Sequence, residues 1–112
     1  MDLKDKKCIP CEVGGSPLTK ERALGYLSEL RATWELAPDA KKIRAEFQFK
    51  DFLLAMEFVN KIAKIAQVEG HHPDLHIFYN KVQVELWTHA MNGLSENDFI
   101  VAAKIEDEYS KQ

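Results

Sequence analysis

Between Gly70 and Asp98, two short runs of alternating apolar and polar residues, Leu75 to Tyr79 and Val82 to Leu86, flank the polar pair Asn80-Lys81. A side-chain period of two marks strands with one buried face, and a two-residue polar link closes a tight β-hairpin. With Tyr79 opposite Val82, the register predicts His72 opposite His89, with His71 one residue further out. Directly opposed residues lie roughly 4.5 to 5.5 Å apart at Cα, so three histidines would share the open end of one hairpin. A one-residue slip would undo this. The fourth histidine, His76, lies mid-strand and reads as an ordinary strand side chain.

The other segments supply partners for the hairpin. Thr19 is a candidate N-cap for a helix ending near Arg31, with Ala23, Leu24, Leu27 and Leu30 on one face. Trp34 and Leu36 form a short strand, Ala37-Pro38-Asp39-Ala40 a turn, and Ile43, Ala45, Phe47 and Phe49 alternate with polar residues as a second strand. Asp51 can cap the longest helix, read as the main core helix, where Phe52, Ala55, Met56, Val59, Ile62, Ala63 and Ala66 follow helical spacing. A second row, Leu54, Phe58, Lys61 and Ile65, widens its apolar surface towards a subunit contact. Gly70 suits its end, since glycine takes positive φ without strain. Ser95-Glu96-Asn97-Asp98 resembles a capping box before a last helix carrying Phe99, Ala102, Ala103 and Ile105. The order α-β-β-α-β-β-α predicts an α+β fold, a four-stranded antiparallel sheet with three helices packed on one face.

With 46% hydrophobic residues in a 112-residue chain, one domain over residues 18–112 can bury a core, after a flexible arm over residues 1–17 that lacks periodicity. A net charge of −3 argues against nucleic acid as a partner. The absence of a long apolar run predicts no membrane association and a cytoplasmic location. Cys8 and Cys11 form a CxxC without the second ligand pair of a zinc site or the strand-to-helix context of a redox motif, and read as a reduced pair in the arm.

Three imidazoles converging at neutral pH suit acid-base chemistry, because histidine titrates near pH 6.5. A His₃ metal site is the competing reading, although adjacent His71 and His72 point to opposite sides of an extended chain. Pro73 biases His72 towards an extended backbone, which helps aim its ring. From pattern alone Trp34 reads as core and Asp98 as a helix cap.

Gly70-His71-His72-Pro73-Asp74, Tyr79-Asn80-Lys81, Thr88-His89, Gly93-Leu94-Ser95-Glu96 and Asp98 occur in an order that resembles the pterin-4a-carbinolamine dehydratase family. The resemblance runs from about Leu18 to Glu106 and takes in Trp34 and Phe49-Lys50-Asp51-Phe52. It implies dehydration of a 4a-hydroxytetrahydropterin to the quinonoid dihydropterin, with catalysis by His71, His72 and His89. It also implies substrate binding by these three with Pro73, Thr88, Trp34 and Asp98. The pterin would be the substrate, with no cofactor and no metal. The implied partners are further copies of the chain, as dimer or tetramer, and a functional link to an aromatic amino acid hydroxylase. The family also implies an alternative, a non-catalytic dimerisation cofactor of a transcription factor or an assembly factor. A pterin from molybdopterin or folate metabolism is a further possibility. Two positions depart from relatives: Gln67, where active members carry a charged residue, and Trp87, where some carry a smaller one.

Overall fold

The computed structural model describes residues 2–9 and 16–111, and its elements follow the predicted order. Helix α1 spans Lys20–Leu27, strand β1 Glu35–Leu36, β2 Ile43–Gln48, α2 Phe52–Glu69, β3 Asp74–Phe78, β4 Lys81–Leu86 and α3 Glu96–Ser110. Three-residue 3₁₀ turns cover Leu3–Asp5 and His89–Met91. The sheet is antiparallel in the order β1-β2-β4-β3, so β4 lies inside and β3 forms an edge. Ile43, Ala45 and Phe47 face the core opposite Leu86, Val84 and Val82, while Arg44, Glu46 and Gln48 point outward. The helices cover the apolar face. Among the described residues no helix is long and apolar enough to cross a membrane.

Thr19 caps α1 by accepting from Arg22 N. The helix stops at Leu27, short of the expected Arg31. Glu106 of α3 accepts from Arg31 N at 2.8 Å and Ala32 N at 2.9 Å, holding the chain in a different path. Asp51 caps α2 through Leu54 N, and Gly70 closes it at φ 67°. The buried face of α2 is Ala55, Phe58, Ile62 and Ala66, so Phe58, placed in the secondary row from sequence, sits at the centre. Phe52, expected in the core, is exposed.

The expectation that α2 is the main core helix also changes. Asn97 to Ala103 of α3 are all buried, because α3 is packed by α1, α2 and the Leu3–Asp5 turn. That turn belongs to the stretch read from sequence as a flexible arm. Leu3 packs into the core, and Lys4 and Lys6 reach Asp107 and Glu96 of α3. Such contacts leave no periodic trace in so short a segment. Cys11 lies outside the described residues.

The hairpin between β3 and β4 forms with its register displaced by two residues from expectation. Phe78 pairs with Lys81 and Ile77 with Val82, so the link is Tyr79-Asn80. Tyr79 takes φ 52°. Asn80 Nδ2 donates to Phe49 O at 2.9 Å, and Phe49 N donates to Asn80 O at 2.8 Å. This reciprocal tie to the end of β2 fixes where the chain reverses. Because the displacement is even, every side chain keeps its face.

Candidate active site

Thr88, Asn97 and Asp98 are the buried polar side chains among the described residues, and they sit together where the end of β4 meets the start of α3. Burying an ionisable carboxyl is costly unless it is fully hydrogen-bonded, so this cluster marks where the fold tolerates a polar interior. Asp98 Oδ2 accepts from Ser95 N at 3.0 Å, completing the capping box, and from Thr88 Oγ1 at 2.8 Å. Ser95 Oγ lies 2.7 Å from Thr88 Oγ1. Asp98 Oδ1 lies 2.6 Å from His71 Nε2. A carboxylate oxygen only accepts, so Nε2 carries the proton in this pair and Nδ1 is the ring nitrogen left for other partners.

His71 reaches Asp98 because of how α2 ends. Gly70 N and His71 N both donate to Ala66 O, and the left-handed Gly70 turns the chain towards the start of α3. His72 follows, exposed, with Nε2 at 3.4 Å from Gln67 Oε1. The neutral amide at position 67 thus meets the second histidine. Pro73 lies between His72 and the start of β3.

His89 comes from the other side. The pairing of β4 ends at Leu86, and Thr88 bridges Gly93, Thr88 N donating to Gly93 O at 2.7 Å. His89 opens the 3₁₀ turn between them. It is therefore not paired across the hairpin as the expected register required, yet it still reaches the same cleft. Trp87 stacks on its ring at 3.9 Å with 24° between planes, donates from Nε1 to Asp74 Oδ2 at 3.1 Å, and lies under Lys42 Nζ. The indole fixes the plane of the imidazole. Its contribution was not legible in sequence beyond being a bulky departure.

His71, His72, Trp87, Thr88 and His89 line one cleft of about 600 Å³. That lies within the roughly 300–1,000 Å³ of small-molecule sites. Cys8, Ile9, Glu69 and Asn97 line it too, and sequence reasoning found none of these four. Asp98 stands behind His71. Pro73 and Trp34 do not line the cleft. Trp34 is buried edge-on against Phe47 and donates from Nε1 to Glu106 Oε1 at 3.0 Å. His76 pairs with Glu85 on the outer face of the hairpin. A second hollow of about 490 Å³, between the Leu3–Asp5 turn and α3, contains no histidine. Among the described residues no three His, Cys, Asp or Glu side chains converge as a metal site.

Burial, the Glu69 carboxylate and the bond to Glu69 push the Cys8 thiol up to about 12 from 9.0. Glu69 Oε1 accepts from Cys8 N at 2.8 Å, and its other oxygen lies 3.7 Å from Lys104 Nζ.

A family model described as pterin 4 alpha carbinolamine dehydratase matches residues 16–108. A protein of Nitrosomonas eutropha, provisionally named pterin-4-alpha-carbinolamine dehydratase, is 49% identical over 105 residues, covering 94% of this chain and 91% of its own. A protein of Alkaliphilus metalliredigens with the same provisional name is 41% identical, covering 98% of each chain. The crystal structure of a transcriptional coactivator/pterin dehydratase from Brucella melitensis superposes with a TM-score of 0.77 at 34% identity. It covers 82% of this chain and 97% of that one.

Proposed function

The chain belongs to the pterin 4 alpha carbinolamine dehydratase family, and from that premise we propose that it removes water from a 4a-hydroxytetrahydropterin to give the quinonoid dihydropterin. The observation that carries this reading is the buried Asp98 carboxylate bound to His71 in the cleft that also holds His89. Hydroxide leaves C4a poorly unless it is protonated, and a proton must also leave a ring nitrogen as the new double bond forms. Two positioned imidazoles can supply one proton and accept the other near neutral pH.

His71 and His89 form the acid-base pair. Asp98 orients His71 through Nε2, so that Nδ1 exchanges the proton. Trp87 holds the ring of His89. His72, exposed at the mouth, binds and orients the pterin. No metal takes part in the steps assigned here. The reaction would return the pterin of an aromatic amino acid hydroxylase to its cycle in the cytoplasm, and the working form would be a homo-oligomer.

The test is carbinolamine loss in a coupled hydroxylase assay. Purified protein should speed it well above the spontaneous rate, and a rate equal to that background would remove the reading. The coactivator half of the Brucella protein's name favours a second reading, a protein-binding role on the same fold. Partner binding that survives loss of His71 and His89, with no turnover in the wild type, would select it.

A further inference from the structure

Residues 2–9 precede the region matched by the family model, yet Cys8 and Ile9 form part of the wall of the histidine cleft. The segment is fastened along its length. Leu3 is buried in the core, Lys104 Nζ donates to Lys4 O at 2.9 Å, and Lys6 Nζ meets Glu96 Oε2 at 2.9 Å. Cys8 N donates to Glu69 Oε1. At the cleft the buried Asn97 side chain grips the backbone of Ile9 from both sides. Asn97 Nδ2 donates to Ile9 O at 2.6 Å, and Ile9 N donates to Asn97 Oδ1 at 3.1 Å.

An amide buried this deeply would lose both bonds if the segment left, which makes departure costly. Asn97 also adjoins Asp98, so one turn of α3 holds both the segment and His71. Although its backbone is held, Ile9 is 71% exposed. A branched apolar group fixed at the edge of a small-molecule cleft is placed to be covered by an apolar-faced ligand such as a flat heterocycle.

We propose that segment 2–9 is a built wall of the substrate cleft and that Ile9 is a specificity-determining residue that packs against the bound pterin. This rests on the dehydratase reading for the identity of the ligand. Asn97 acts as a positioning residue through Ile9.

The test uses the full-length protein and 7,8-dihydrobiopterin as a stable probe. Its binding is followed by calorimetry and compared with steady-state turnover. Replacing Ile9 by Ala should raise both the probe Kd and the substrate KM by roughly tenfold, the worth of a missing apolar contact in a pocket, with a smaller effect on kcat. Ile9→Val should recover most of the loss. Asn97→Ala should raise Kd in the same direction. Because Ile9→Ala alters an exposed side chain, it keeps the inference testable should Asn97→Ala fail to fold. Wild-type Kd and KM in folded Ile9→Ala would overturn it. A wild type that binds the probe without turnover would remove the dehydratase reading alone, leaving the binding comparison to decide the wall. A wild type that does neither removes both.

Discussion

Asp98 divides its oxygens between the helix and the histidine: Oδ2 closes the capping box and takes the Thr88 hydroxyl, while Oδ1 meets His71. If His71 and His89 exchange protons with the substrate, His71→Ala and His89→Ala should each lower kcat by roughly 10² to 10⁴, the usual worth of one positioned acid or base. His72→Ala should act mainly through KM. His76→Ala serves as the control, because His76 is paired with Glu85 away from the cleft. Steady-state kinetics corrected for spontaneous dehydration would check this, and near-wild-type kcat in both folded variants would end the acid-base assignment. The Cys8 thiol supplies a pH prediction. Its pKa is raised in the fold, so its contribution to stability is complete below pH 9.0 and is lost as pH rises towards about 12. In a Cys11→Ser background, the stability advantage over Cys8→Ser should shrink as pH rises above 9.0 in urea titrations. Alkylation of Cys8 by iodoacetamide near pH 8 should be slower than that of a free thiol, since the thiolate reacts.

At the level of elements, α2 shows why spacing alone assigns a face only approximately. Apolar residues occur on most sides of it, and the sheet together with α3 selected Phe58 over Phe52. Phe58 touches Phe47, Phe49 and Tyr109 with ring centroids 5.0 to 5.7 Å apart. Phe58→Ala should therefore cost about 3–5 kcal/mol, while Phe52→Ala should change the stability of the subunit little. Chemical denaturation measures both, and equal losses would show the face to be misassigned. The loop before α3 has its own steric requirement. A Cβ on Gly93 would stand 2.6 Å from Pro17 Cβ, beside the bond from Leu18 N to Leu94 O. Gly93→Ala must push the Pro17 segment away, and should lower the thermal midpoint. An unchanged midpoint would mean that this segment yields without cost.

For the whole molecule, the exposed apolar groups concentrate on α2 and on the hairpin. Leu53 and Val68 are 67% and 81% exposed, and Phe78 and Tyr79 stand at the end of the edge strand β3. Unpaired strand edges and apolar helix faces are usually covered, so a homo-oligomer is expected. Light scattering at micromolar concentration should give a multiple of the 12.9 kDa chain mass, and a monomer mass would refute it. Turnover should also survive extensive treatment with a strong chelator, while a loss restored by zinc would establish the His₃ metal reading instead.

The order of elements, the caps at Thr19, Asp51 and Ser95 and the Gly70 turn were all legible from residues near one another in the chain, whereas His89 reaches the cleft of His71 and His72 through the turn after β4 and not through the hairpin register expected from sequence. Each of the legible features depends on short-range geometry: a side chain bonding a backbone N–H three residues on, a left-handed glycine, or a period of two or 3.6. What depended on distant contacts could not be read locally. The hairpin link moved to Tyr79-Asn80 because Phe49 bonds Asn80 across the sheet, and α1 ends early because Glu106 holds Arg31 and Ala32. The bond between His71 and Asp98, the stacking of Trp87 on His89, and the docking of residues 2–9 through Leu3, Glu69 and Asn97 likewise join segments far apart in sequence. Only packing of the sheet, α2 and α3 around one core decides which of these groups meet.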